Sequence, residues 1–264
     1  KGYVVSKKDG KKVYFDSKER LQRIEDRFGN RIEVEVNAGG YVEKLRDSVG
    51  RELELERNIA GEKETWQWTM NGKTAARYEI ENGKLMKSYD AAGRKTEYAY
   101  EEKETTVKYV SNYTVKYANL VKVTHPTGAE TQYEYTEEPV EWRSYGTGPI
   151  PSYYLVAGRK DSTAEGEIQE EKYEFTLGTY PLTKTNPYRY VGTAKIYRKK
   201  AGEQWGERAE YTFDQKGQMT AEKIWNSGMP EGVNRREREY VYGTDEDKDE
   251  GLPVKLEERE YNSS

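Results

Sequence analysis

The feature that most constrains this chain is a punctuated glycine series. Gly29, Gly50, Gly72 and Gly93 stand 21, 22 and 21 residues apart. A fixed period of that size marks a repeated supersecondary unit. Three of these glycines follow an aspartate by three residues: Asp26, Asp47 and Asp90. Aspartate bonds its own backbone and glycine accepts positive φ, so Asp-x-x-Gly is turn chemistry. Between the turns the pattern has period two. "RIEVEV" sets Ile32, Val34 and Val36 against glutamates, "LELE" sets Leu53 and Leu55 against glutamates, and "TEYAYE" and "TQYEYTE" alternate tyrosines. Such alternation places apolar side chains on one face of a half-buried strand. Two strands and two turns per unit give an antiparallel meander. The four glycines are expected at equivalent turn positions on one edge of the sheet, two strands apart.

A second landmark recurs far along the chain. "FDSKERLQRI" begins at Phe15 and "FDQKGQMTAEKI" at Phe213. Each reads as a hairpin: an aromatic strand end, a polar turn, and a new strand from Leu21 or Met219. "YDAAGRKTEY" from Tyr89 has the same aromatic-Asp opening and glycine placement.

These stretches, with "EDRFGNRI", "GGYVEKLRDSVGREL" and "NGKLMKSYDAAGRKTEY", resemble the YD repeats of RHS-type proteins. The likeness is good over residues 12–100, fragmentary over 117–135, and returns from about residue 208, about half the chain in all. The resemblance implies a long β-sheet that spirals into a shell. It also implies kinship with bacterial wall-associated proteins, toxins and teneurins, and so an extracellular or cell-surface location. Shells of that family often hold a C-terminal toxin freed by self-cleavage near an Asp-Pro segment. Asp-Pro is absent here and no further C-terminal domain is expected, so neither property is carried over. A closed shell is not carried over either, because the family's shells use far longer chains.

The expected fold is therefore all-β: a long twisted antiparallel β-meander of ~21-residue YD-type repeats, forming an open partial shell. Residues 1–138 are expected as the regular sheet, 139–166 as an irregular Pro/Gly/aromatic segment, and 167–264 as a less regular continuation. Leu, Ile, Val and Phe supply only 41 of 264 residues. The 24 tyrosines supply apolar area instead, each with a polar tip. A thin, tyrosine-faced, ion-paired structure follows, with little helix.

Composition also limits the chemistry. There is no cysteine, so disulfides and thiolate metal sites are excluded. With 44 basic and 48 acidic residues of mixed order, the chain lacks a nucleic-acid footprint. No stretch reaches the length of a membrane span, and "KGYVVSKKDG" lacks the apolar core of a signal peptide. The single histidine, His125 in "VTHPTGAE", reads as a turn residue beside Pro126. "DEDKDEG" places Asp245, Asp247 and Asp249 like the start of a calcium loop, but Gly251 and Glu257 are out of step with that motif, leaving an acidic loop. No cofactor or metal and no enzymatic activity is expected.

Aromatic-x-aromatic pairs recur: Trp66/Trp68, Tyr98/Tyr100, Tyr133/Tyr135, Tyr173/Phe175, Tyr188/Tyr190, Tyr211/Phe213 and Tyr240/Tyr242. Residues i and i+2 share a strand face, so the pairs read as cross-strand ladders or as platforms for sugar rings. The best place for a ligand site is the segment Pro139 to Gly158. There Trp142, Tyr145, Tyr153 and Tyr154 offer flat faces and Arg143 a donor fork. The same rings would otherwise fold back as a cap on the sheet. Three functions remain open: a structural or encapsulating scaffold of an exported bacterial protein, a carbohydrate-binding module with a glycan or protein partner at the cell surface, and a hydrolase.

Overall fold

The computed structural model describes residues 2–107, 111–137, 139–141, 152–181, 187–225, 235–243 and 253–261. Among them there is no helix, and 19 strands form an antiparallel meander that is not closed. The chain divides into two compact units, Lys1–Tyr98 and Ala99–Ser264.

The first unit holds β1 (Tyr3–Ser6), β2 (Lys12–Phe15), β3 (Leu21–Glu25), β4 (Arg31–Val36), β5 (Val42–Asp47), β6 (Glu52–Ala60), β7 (Lys63–Met70), β8 (Lys73–Glu81), β9 (Lys84–Tyr89) and the start of β10 (Lys95–Val107). Each strand pairs with the next, antiparallel. Gly29, Gly50, Gly72 and Gly93 lie in the turns β3–β4, β5–β6, β7–β8 and β9–β10, on one edge and two strands apart. The elementary step is shorter than the period that revealed it. Gly40, Gly61 and Gly83 turn the chain at the opposite edge, so each strand and its turn occupy ten or eleven residues.

The aspartate turns share one construction. Asp26, Asp47 and Asp90 accept from the glycine N–H three residues on, at 3.2, 3.1 and 2.9 Å through their carbonyls. Each side-chain Oδ1 accepts two further backbone N–H groups, at i+2 and i+4: Phe28 and Asn30 at 2.8 and 2.9 Å, Val49 and Arg51 at 3.0 and 2.9 Å, Ala92 and Arg94 at 2.9 and 3.0 Å. Oδ2 then takes the side chain at i+4, from Asn30, Arg51 or Arg94, at 2.6–2.7 Å. One carboxylate thus satisfies the turn's loose donors, and the left-handed glycine completes the bulged turn. The pair of landmarks follows suit. Asp16 and Asp214 hold the same backbone bonds, and the new strands begin at Leu21 and Met219. Gly72 departs from this construction. Asn71 and Gly72 both have positive φ, 53° and 70°, the two-residue type I′ turn that Asn-Gly favours.

Alternation gives the first unit two unlike faces. On one, the registered row Arg23–Glu33–Arg46–Glu52 alternates charge across four strands. Arg46 lies 2.5 Å from Glu52, and Lys44 bridges Glu52 and Glu54 at 3.2 and 2.9 Å. Arginines also cover aromatic rings directly across the ladder. Arg23 sits over Tyr14 at 3.9 Å and Arg77 over Tyr89 at 4.1 Å, contacts of roughly 0.5–1 kcal/mol each at exposed sites. The other face is mainly apolar, with Asp47, Arg57 and Glu64 among its charged members, and no described residue of this unit is buried.

The second unit holds the rest of β10, then β11 (Tyr113–Thr124), β12 (Glu130–Tyr135), β13 (Val140–Glu141), β14 (Ser152–Tyr153), β15 (Val156–Thr163), β16 (Gly166–Pro181), β17 (Pro187–Lys200), β18 (Gly206–Phe213), β19 (Met219–Trp225), β20 (Arg235–Tyr242) and β21 (Pro253–Tyr261). β13 and β14 form their own small antiparallel pair, so β12 joins β15. Five successive strand pairs from β12–β15 to β18–β19 each carry a register shift, whereas the four shifts of the first unit are scattered. Buried residues occur here: Val107, Val191 and Ala209, with Thr105, Asn119, Thr131, Ser152, Glu171 and Glu222.

Candidate functional site

Of the residues that the sequence singles out for ligand contact, Trp142, Arg143 and Tyr145 lie outside the described residues, as does the acidic loop with Asp245, Asp247 and Asp249. Tyr153 and Tyr154 are adjacent to a firm anchor. Ser152 is buried, and its Oγ donates to the Thr106 carbonyl at 3.2 Å. A hydroxyl has one proton, so the 2.8 Å contact with Thr105 Oγ1 is donated by Thr105. The Tyr154 N–H donates to Tyr117 Oη at 3.2 Å, and the Leu155 N–H to Thr136 Oγ1 at 3.1 Å. The Tyr153 ring meets Tyr117 edge-on, centroids 6.2 Å apart, while Lys103 Nζ stands 5.0 Å from the Tyr154 ring. Burial pushes the Tyr117 phenol above its ordinary value. Tyr153 remains 48% exposed and Tyr154 is half-buried. The cluster thus offers one open ring on a pinned backbone. Tyr117 and Lys103 were not legible as its partners, since they come from β10 and β11, far away in sequence.

A polar chain crosses β12, β15, β16 and β17. Its members share one sheet face because they are registered partners: Thr131 with Asp161, Arg159 with Glu171, Glu171 with Arg198. Thr131 Oγ1 donates to Asp161 Oδ1 at 2.8 Å, so its 3.1 Å contact with His125 is donated by a protonated Nε2. Arg159 bridges Asp161 at 3.0 Å and approaches Glu171 at 4.0 Å. Glu171, only 8% exposed, accepts from Tyr173 Oη at 2.6 Å and from the Arg198 fork at 2.8 and 2.5 Å. Burial pushes the Glu171 carboxyl up, but the tyrosine bond and the two guanidiniums outweigh it and hold it below the ordinary value. The same burial and carboxylate push the Tyr173 phenol up. His125 itself sits in a Gly128 turn, its N–H and carbonyl bonded to Ala129 and Gly128.

On the opposite face of β12, β15 and β16 lies a groove of about 310 Å³, lined by Gln132, Glu134, Gly158, Lys160, Lys172 and Trp205 among others. Gly158 matters because a Cβ there would sit 3.2 Å from Glu134 Oε2. Trp205 is 44% exposed, with Lys199 Nζ 5.3 Å from its ring. Lys160 bonds Glu167 and Glu170 at 2.8 and 2.9 Å. Those carboxylates raise its affinity for its proton, and the lysines hold Glu170 down to about 2. Trp205, in the turn "AGEQWGE", was missed by pair-based reading because it has no aromatic at i±2.

The electrostatics have one direction. Among the described residues, every carboxylate displaced from its ordinary value is displaced downward and every displaced lysine upward, mostly through a hydrogen bond to an opposite charge. No described group of acidic residues or histidine is arranged to hold a metal ion, and no helix is long and apolar enough to cross a membrane. No family model matches the chain, and no curated protein matches it.

Proposed function

We propose that this chain is a non-catalytic structural scaffold, a segment of an exported bacterial surface or toxin-related protein of the YD-repeat kind. The observation that carries the reading is the extensive pairing of its charged groups with one another. General acid–base catalysis needs a group whose pKa is brought toward the working pH. Here each carboxylate that is displaced is held more acidic and each displaced lysine more basic, which fixes charges rather than readying a proton for transfer. Turns sealed by their own aspartates suit a rigid surface in the same way.

The test is turnover. The purified chain is incubated with glycoside, ester and peptide substrates, and the scaffold reading expects none to be consumed. Hydrolysis that disappears in Glu171→Gln, with the fold retained, overturns it. Export is tested separately by fractionating source cells, where recovery solely in cytosol counts against it.

A second reading, a carbohydrate-binding surface, draws on the Trp205 groove and the open Tyr153 ring. An exposed indole beside polar side chains is a stacking platform with hydroxyl-bonding neighbours. Retention on a glycan array that is lost in Trp205→Ala, with unchanged thermal stability, would favour this reading over the scaffold.

A further inference from the structure

We infer that the apolar face of the first unit is an interface on which a second copy of this chain docks, face to face. This goes beyond the scaffold reading and does not rest on it.

The register assembles the face. Val5, Val13, Ile24 and Ile32 are successive cross-strand partners on β1 to β4, as are Val34, Leu45 and Leu53 on β4 to β6. Leu55 and Trp68 continue the row on β6 and β7. A sheet with one apolar face is stable when a second layer covers that face. Within the first unit no second layer does so: Ile32 is 45% and Val5 51% exposed, and none of the others is buried. The opposite face, by contrast, is already satisfied by its ion-pair ladder.

Three observations favour a second copy as the occupant. The first is size. Nine strands averaging about six residues, spaced about 4.8 Å apart, present roughly 800 Å², the share each partner contributes to a standard interface. The second is charge. The ion pairs on this face, Arg57–Glu64 at 3.1 Å and Arg51–Asp47 at 2.6 Å, are each neutral, with Arg57 stacked on Tyr41 and Trp66 and Glu64 accepting from Trp66 Nε1. A copy therefore brings no net like charge against it, whereas an anionic lipid surface calls for a basic rim that an Arg–Glu pair does not make. The third is shape. Ile32, Leu45, Leu53 and Met70 line a hollow of about 270 Å³ bordered by four charged residues, Asp47 and Arg51 among them, room for an apolar side chain from the other sheet. Two sheets of the same twist pack aligned at about 30° with side chains interdigitated, so a sheet of this kind is a fitting partner for itself.

Sedimentation velocity of the whole chain over the micromolar range tests the inference. The wild type is expected to shift from monomer to dimer with concentration. Leu53→Lys should abolish the dimer, while Thr69→Lys, which adds the same charge to the opposite face across from Glu54, should leave it intact. Circular dichroism checks the fold of each. Should Leu53→Lys fail to fold, Val34→Thr serves, nearly the same in shape and expected to weaken dimerisation at least tenfold. A wild type that stays monomeric, or gains mass only with added vesicles or another protein, overturns the inference. So does a dimer that survives in every folded face variant, or one that Thr69→Lys breaks equally.

Discussion

The two units solve the same problem with different means. The first is a run of short strands whose turns are each closed by local chemistry, and none of its described residues is buried. The second has strands of up to 16 residues, five shifted pairings in succession where the first unit's four are scattered, and a buried polar chain through Glu171. The first unit's turns thus draw on residues four apart, whereas the second unit's buried chain draws on residues brought together across strands. Glu171 and Arg198, for instance, are 27 residues apart. A turn closed on itself can be repeated without regard to its neighbours. A buried carboxylate cannot, because each must find its own partners or remain uncompensated.

The largest effect should come from breaking the second arrangement. Arg198→Met leaves Glu171 with Tyr173 and a more distant Arg159, and should destabilise by about 2–3 kcal/mol. That is below the full cost of stripping a buried pair because Arg198 itself reaches solvent. Peptide-resolved hydrogen exchange should show the loss in β15 to β17 with β3 to β6 unaltered. Equal loss in both units would erase the distinction.

Gly50→Val attacks the first arrangement. Gly50 has φ of 86°, a region that a β-branched residue tolerates poorly, so a cost of about 1–2 kcal/mol is expected, read from urea denaturation. Nothing lies within 4 Å of a Cβ built there, so the effect is backbone strain and not crowding. An unchanged midpoint would show that the turn relaxes freely.

Glu19 sharpens the point from the other side. It occupies the glycine position of the Asp16 turn and has φ of 62°. Glu19→Gly should stabilise by about 0.5–1 kcal/mol, since it relieves a left-handed non-glycine residue. A loss of stability would mean that the glutamate side chain outweighs the strain.

The smallest effect per residue is that of pH. Asp16, Asp47 and Asp90 are lowered from the ordinary 3.8 chiefly by the N–H of Arg20, Arg51 and Arg94, and Asp26 chiefly by the Asn30 side chain. A carboxyl lowered on folding contributes stability that is whole above its unfolded value and is lost as pH falls through its folded one. Denaturation midpoints should therefore stay level from pH 7 to about 5 and fall below about pH 4. Asp47→Asn should flatten that fall. A profile unchanged by the substitution would remove the aspartate from the account.

Much of this molecule was legible in its sequence, for a local reason. An Asp-x-x-Gly turn is specified within five residues, and alternation specifies a face. Thus the all-β meander, the glycine positions and the strand starts at Leu21 and Met219 followed from residue order alone. The type of the Gly72 turn was also local, since Asn71 precedes it, yet the common period concealed it. Register was another matter. Whether Arg57 lies over Trp66, Glu171 meets Arg198, or Tyr154 leans on Tyr117 depends on which strands pair and where a bulge shifts them. A one-residue shift sends every later side chain to the opposite face. The sequence thus determined the turns, the strands and their two-faced character. Only the tertiary structure decided which charges found partners, that the first unit's apolar face gained no second layer within the unit, and that an isolated tryptophan at position 205 came to line a groove, because those outcomes depend on contacts between residues that have no local relation.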